Sequence, residues 1–299
     1  FIKQYVSLRP KFLAVSSAYV MMSWLYDKFQ VVPYLRVIGD WGTGKSRFLE
    51  VVGSICYRPI MYTGSASNAS IFRMIADISG TMLLDEADFQ ESEKHADIVK
   101  LLNAGHKKGG AVQRAEANSK NNTFTIKTFP VFGPKVIGSR ERWKDNALES
   151  RCLTHVMLTK QSVSKPIALP DSFEEEARRL RNNLLKFRFE NYNQIVADEN
   201  TVKDLTIPRI QQCMLPITTI GELINDPEVK SDILSFGKDI EEDLVRTQTV
   251  SDEADILVCI GKLLQTGKPK IYMQNIADEY NLKFGSGSTP ANLIDHSRL

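Results

Sequence analysis

Cysteine and histidine are scarce in this 299-residue chain, with four of each. Cys56, Cys152, Cys213 and Cys259 lie far apart with no C-x-x-C pair, which argues against a disulfide framework or a zinc site. They read instead as small buried hydrophobes in a reducing compartment. His95, His106, His155 and His296 are equally scattered, so a histidine-based metal cluster is not expected. Long apolar runs are missing too. The longest uncharged stretch, residues 12–26, is too short to span a bilayer and contains three serines. Charge of one sign is also lacking: the formal net charge is +2, so any nucleic-acid footprint must be local. The chain starts without an initiator methionine and reads as a piece of a longer polypeptide with no signal peptide in view, for which a cytoplasmic location is expected.

Against these absences stands one informative stretch. Gly39-Asp40-Trp41-Gly42-Thr43-Gly44-Lys45-Ser46 fits G-x-x-x-x-G-K-[ST] at every constrained position. An apolar run of strand length, Tyr34–Ile38, precedes it, and Arg47–Val52 has the spacing of a helix's first turns. Strand, glycine-rich loop and helix N-terminus together form a cradle for phosphate, because free N–H groups and the helix dipole favour an anion. Lys45 would reach the β- and γ-phosphates, and Ser46 would place its hydroxyl on Mg²⁺. Downstream, Thr81–Leu84 is a buried-type strand ending in Asp85 and Glu86. Asp85 would hold Mg²⁺ through water, and Glu86 would polarise the water that attacks the γ-phosphate. Two such motifs in order predict a nucleoside-triphosphate site.

Alternation of strands and helices predicts a parallel sheet covered on both faces, with the phosphate loop at its carboxyl edge. Pro10 opens a helix over residues 10–29. A helix from Ser46 to about Ile55, a short strand near Pro59–Tyr62, a turn-rich connector at residues 63–68 and a helix over residues 69–78 follow. Ala87 and Asp88 complete the letters D-E-A-D after Asp85-Glu86. The RNA unwinding enzymes named for those letters carry a different phosphate loop and a second lobe, and neither is found here. Lys94–Gly105 has helical spacing with a terminal glycine. Val112–Arg114 and Thr123–Phe129 would pair as a hairpin around the polar loop 117–122.

Ten lysines and arginines stand against four acidic residues between positions 107 and 151. Lys107, Lys108 and Arg114 are therefore candidates for contacting single-stranded DNA through its phosphates. A merely solvated loop is the competing reading. The core strand within residues 130–139 should end in a polar residue aimed at the γ-phosphate. Ser139 sits there, and Arg140 serves if the strand ends one residue later. Residues 146–152 read as a helix ending in Arg151, followed by a strand at Leu153–Leu158.

With those residues in view, the chain resembles an AAA+-type P-loop ATPase. More narrowly, it is similar to helicase-like domains of primase-associated replication proteins of plasmids, prophages and mobile islands, distant relatives of the minichromosome maintenance helicases. The residues that carry the likeness are Gly39–Ser46, Leu83–Asp88, Leu102–Gly110, Phe129–Lys135 and Leu148–Cys152, within a span of about residues 30 to 220. The resemblance implies that Arg151 is an arginine finger completing a neighbouring subunit's site, hence a homo-hexameric ring. It also implies that Arg209, in a helix opening at Pro208, contacts the γ-phosphate, with Arg178 and Arg179 as weaker rivals.

The implied organisation is an N-terminal helical segment (1–30), an ATPase core (31–165), a helical lid (166–250) containing the amphipathic stretch Phe173–Phe189, and a truncated winged-helix module (251–299). Two short helices, residues 252–265 and 271–280, a Gly/Ser turn at 285–288 and a third helix from Thr289 would make up that module. The implied activity is an ATP-driven DNA helicase or translocase using ATP and Mg²⁺ on single-stranded or forked DNA, with a primase as a further partner and no membrane. The alternatives are an ATPase that remodels or loads a protein partner, and an ATP-gated switch that assembles on DNA without unwinding it.

Overall fold

This computed structural model describes residues 1–62, 68–85, 93–118, 123–143, 145–158, 165–249, 252–265 and 272–284. The chain divides into two units, residues 1–238 and 239–299. The connector at 63–67, Glu86 to Ser92, the hairpin tip at 119–122 and everything from residue 285 lie outside the described residues, and with them the expected Gly/Ser turn and third helix.

In the first unit a short helix α1 (Ile2–Tyr5) is followed by α2 (Pro10–Ser23). Arg9 holds the N-cap of α2 in extended backbone, and Pro10 occupies the first turn, where its missing N–H costs nothing. Strand β1 (Tyr34–Ile38) runs into the phosphate-loop sequence and then α3 (Lys45–Gly53). After β2 (Pro59–Tyr62), α4 (Asn68–Ile78) and β3 (Thr81–Leu84) comes α5 (Glu93–Gly105). An antiparallel hairpin, β4 (Ala111–Asn118) with β5 (Thr123–Pro130), precedes β6 (Lys135–Ser139), the single-turn α6 (Asn146–Glu149) and β7 (Cys152–Val156). Helices α7 (Phe173–Asn191) and α8 (Pro208–Ile224) follow, and the unit boundary falls inside α9 (Pro227–Thr249). In the second unit α10 (Asp252–Gln265) and α11 (Met273–Phe284) pack together through Cys259, Leu263, Ile276 and Tyr280, with a Lys262–Glu279 ion pair between them.

The strands order β2-β3-β6-β1-β7, all parallel, as the alternating pattern predicts. β1, β3 and β6 are buried along their whole length, so their apolar residues do not alternate with polar ones as in a half-exposed strand, although β1 carries Arg36 and β6 begins at Lys135. Phe72, Leu101, Leu102, Ile137 and Leu148 fill one core cluster. α3 packs on β1, β3 and β6. The four thiols are buried and form no disulfide, and burial pushes those of Cys56, Cys152 and Cys213 up to about 12.

Two charges lie inside this core. Arg36, mid-way along β1, is fully buried: it pairs with Glu149, donates to Thr154 Oγ1 at 2.9 Å and stacks on Trp143 at 4.6 Å. The pair ties the strand that feeds the phosphate loop to the end of α6. Lys135, the first residue of β6, is 1% exposed, and burial pulls its pKa down to about 7. Its ammonium donates to the carbonyls of Gly105 (3.2 Å), Val131 (2.9 Å) and Gly133 (2.8 Å), tying the end of α5 and the hairpin's exit to the sheet. A side chain at Gly105 would force the structure to shift, because an added Cβ would lie 2.6 Å from the Val131 carbonyl oxygen and 2.6 Å from Lys135 Nζ. Lys135→Met is expected to destabilise the fold by about 3 kcal/mol, since three buried acceptors lose their donor. A urea melt measures it, and an unchanged midpoint would contradict the bracing role.

Candidate functional site

The loop between β1 and α3 gets its shape from two glycines in left-handed backbone, Gly42 (φ +72°) and Gly44 (φ +94°), where a side chain would be strained. α3 begins at Lys45, so the first N–H groups of this helix face the loop's concavity without intrahelical partners. Lys45 Nζ donates to the carbonyls of Gly39 (2.6 Å) and Asp40 (2.9 Å), and Thr43 Oγ1 donates to the Asp40 carbonyl at 2.8 Å. The ammonium is thus held at the loop's own mouth. A phosphate there would compete with two carbonyl dipoles for it.

Asp85 follows directly on β3, next to β6 in the sheet. A Cβ added to Gly138 would lie 3.3 Å from Asp85 Oδ1, 3.6 Å from Lys45 Cβ and 2.9 Å from Leu49 Cδ1. The aspartate and the lysine therefore flank one bare point on β6. A side chain at position 138 would fill the space between them. A cavity of about 410 Å³ opens over this point, lined by Trp41–Arg47, Asp85 and Arg140. Helix N–H groups, an ammonium, the Ser46 hydroxyl and one carboxylate are the donor set that a magnesium-bound triphosphate needs, and the cavity has room for it. Glu86 lies outside the described residues.

Of the two candidates at the end of β6, Ser139 is buried and its hydroxyl donates to the Glu141 carbonyl at 3.1 Å. Arg140 is the residue that lines the cavity, its guanidinium 5.8 Å from the Trp41 ring. The strand ends at Ser139, which is not among the residues lining the cavity, and the next residue is.

A second cavity of about 510 Å³ lies on the other flank of Gly42–Gly44. The segment between α1 and α2 (Val6–Pro10), His155, Met157 and Pro166 line it. His155 stacks on Phe12 with ring centres 4.6 Å apart, and burial with the nearby Arg9 charge pushes its pKa down to about 4, so it is neutral near pH 7. Arg47 anchors the rim by donating to the carbonyls of Pro166 (3.2 Å) and Ile167 (2.7 Å). No local pattern singled these residues out. They meet only because the chain's first residues fold back beside the loop.

Arg151 sits at the opposite, amino edge of the sheet, where its carbonyl accepts from Tyr34 N at 2.9 Å. It follows α6 in a turn and is not part of the helix. Its guanidinium donates to Asn103 Oδ1, and its Nε is buried without a hydrogen-bond partner. Arg209, one residue into α8, donates to Gln212 Oε1 at 3.3 Å. Cys213, one turn further along α8, donates its thiol to the Ser150 carbonyl at 3.6 Å, which sets the start of that helix beside the Arg151 turn; burial and the Arg151 charge push the His106 imidazole down to about 4. Arg209 is thus grouped with Arg151 and away from the chain's own phosphate loop. Arg178 and Arg179, the rivals, pair with Glu175 on the exposed face of α7.

The proposed DNA contacts are arranged differently from the expectation of a free basic loop. Lys107 and Lys108 are exposed, but they lie at the hairpin's root, where Lys108 Nζ donates to the Asp27 carbonyl at 2.7 Å. Arg114 is paired with Asp97 and stacked 4.7 Å above Phe72. No helix among the described residues is long and apolar enough to cross a membrane.

No protein-family model and no curated protein matches the chain. Among solved structures it is similar to the SCCmec type IV Cch active helicase, at 16% identity over 96% of this chain and 54% of that one, with a TM-score of 0.41. It is also similar to JCV helicase in two crystal structures, at 10% and 12% identity over 86% of this chain and 66% of those, with TM-scores of 0.30 and 0.29. The chain spans about half the length of the Cch helicase.

Proposed function

We propose that this chain is an ATP-hydrolysing motor that works as a ring on single-stranded or forked DNA, as a helicase or translocase in the replication of a mobile genetic element. The observation that carries the hydrolase part is the meeting of Lys45 and Asp85 across Gly138 beneath a cavity lined by the phosphate loop. Lys45 and the first N–H groups of α3 would bind the triphosphate, releasing the lysine from the Gly39 and Asp40 carbonyls. Ser46 and Asp85 would hold Mg²⁺, which neutralises phosphate charge when bound. Glu86, next in sequence to Asp85, would orient and deprotonate the attacking water. Arg140 is better supported than Ser139 as the γ-phosphate contact, since it lines the cavity. The second cavity, with neutral His155 and apolar Met157 beside Gly42–Gly44, suits the nucleobase.

Support for the ring comes from Arg151. It lies at the amino edge of β1, whereas the loop lies at the carboxyl edge, separated by about 13 Å of strand. Such an arginine serves another subunit's nucleotide, and Arg209 would act beside it. Hexamer number, the replication setting and a primase partner rest on the sequence resemblance. The internal engagement of Lys108 and Arg114 favours the second reading, a remodeller of a protein partner.

ATPase rates with and without single-stranded DNA, read alongside oligomer mass with a nonhydrolysable nucleotide, separate the two. A DNA motor gives stimulated hydrolysis and a nucleotide-dependent ring. Hydrolysis indifferent to DNA, with no DNA binding, would leave the remodeller.

A further inference from the structure

Arg151 is held by a side chain from another element. Asn103 lies in the last turn of α5, half-buried, and its Oδ1 accepts a hydrogen bond from the Arg151 guanidinium. Its Nδ2 donates in the other direction, to Asp145 Oδ2 at 3.3 Å. Asp145 is itself held, because its Oδ1 accepts the Ala147 and Leu148 N–H groups as the N-cap of α6. The Asn103 main chain is tied as well. His106 Nδ1 lies 3.1 Å from the Asn103 carbonyl oxygen, and the His106 carbonyl accepts from Val32 N at 2.8 Å, two residues before β1.

These partners dictate how the amide lies. Its two ends have the same shape, but only the oxygen can accept from an arginine and only the nitrogen can donate to a carboxylate. With Asp145 on one side and Arg151 on the other, one orientation satisfies both. The Asn103 side chain therefore joins the cap of α6 to the cation that follows that helix. A carboxylate in its place would also accept from the guanidinium, but it would form an ion pair, as Glu149 does with Arg36 in the core. An amide aims the guanidinium and leaves its positive charge uncancelled. Fixed, uncancelled charge is what stabilises a transition state without reorganisation.

We propose that Asn103 is a positioning residue for hydrolysis at the neighbouring subunit's nucleotide, a neutral acceptor that fixes Arg151 without neutralising it. The inference rests on the reading of Arg151 as an arginine that acts in trans.

The test compares Asn103→Ala and Asn103→Asp with the parent in steady-state ATPase assays of the full chain, each alongside a thermal melt. Alanine is the better helix former, so α5 persists while both side-chain bonds are lost. In Asn103→Ala kcat should fall by about 10–10²-fold, the cost of a misplaced group. KM for ATP should stay at the parental value, because the altered residue lies at the amino edge of the sheet and not at its own subunit's phosphate loop. Asn103→Asp keeps an acceptor and adds a charge; at about pH 8, where carboxyls are ionised, its kcat should fall as well. Mixing Asn103→Ala with Lys45→Ala subunits should restore hydrolysis, which a general loss of packing would not allow. Parental kcat in either variant, a raised KM with kcat intact, or no rescue in the mixture while Arg151→Ala is rescued would each overturn the proposal. If Arg151→Ala is itself harmless or unrescued, the trans reading fails, and running both mixtures side by side separates that result from a silent Asn103 variant.

Discussion

Replacing Arg151 with alanine should lower ATP turnover by about 10³–10⁵-fold, the range for an arginine supplied in trans, while nucleotide binding by the altered subunit stays intact. The expectation follows from where the residue is held. The Arg151 carbonyl is bonded to Tyr34 at the amino end of β1, so its side chain cannot serve the loop at the other end of the same strand. Its position is fixed from three sides. Asp145 caps α6 by accepting from the N–H groups of Ala147 (2.9 Å) and Leu148 (3.1 Å), Glu149 is locked to buried Arg36, and Asn103 accepts from the guanidinium and donates to Asp145 at 3.3 Å. Mixing Arg151→Ala with Lys45→Ala subunits should restore hydrolysis, because about a quarter of the interfaces in an equal mixture join an intact lysine to an intact arginine. No rescue would count against action between subunits.

Lys45→Ala should be the other severe change, costing about 10²–10³-fold in turnover as one preorganised cation is lost from the transition state. In the structure the ammonium braces the loop through the Gly39 and Asp40 carbonyls, so its removal also frees the loop's entrance. The fold should survive, because Gly42 and Gly44 already adopt the backbone the loop needs and α3 is anchored by buried Phe48 and Leu49. Steady-state ATPase and a thermal melt measured together decide the matter. A variant that melts like the parent yet hydrolyses at the parental rate would remove Lys45 from the chemistry.

What could be read from the sequence was local. The strand–loop–helix around Gly39–Ser46, the buried strand before Asp85 and the hairpin across residues 111–130 announce themselves through spacing and turn chemistry within a few residues, and all three formed. The features that escaped depend on partners far apart in the chain. Arg36 is a charge in the middle of a buried strand, intelligible only with Glu149 placed 113 positions later. Lys135 finds its acceptors where α5 and the hairpin's exit converge. The strand ends at Ser139, yet Arg140 is the residue that lines the cavity, so strand length does not decide between the two. The end of α6 was set by its single turn and left Arg151 outside the helix. The long helix α9 was expected only as part of a helical lid, because charged residues recur around it. Glu86, the expected water-activating residue, has its support from sequence adjacency to Asp85 alone.

The most direct test of the account is calorimetric titration of a nonhydrolysable ATP analogue into the full chain, with and without Mg²⁺, and into Lys45→Ala and Asp85→Asn. The account predicts one site per chain, tightened by Mg²⁺, weakened in the lysine variant and made insensitive to Mg²⁺ in the aspartate variant. Binding that is absent from the parent chain, or the same in all three proteins, would contradict it.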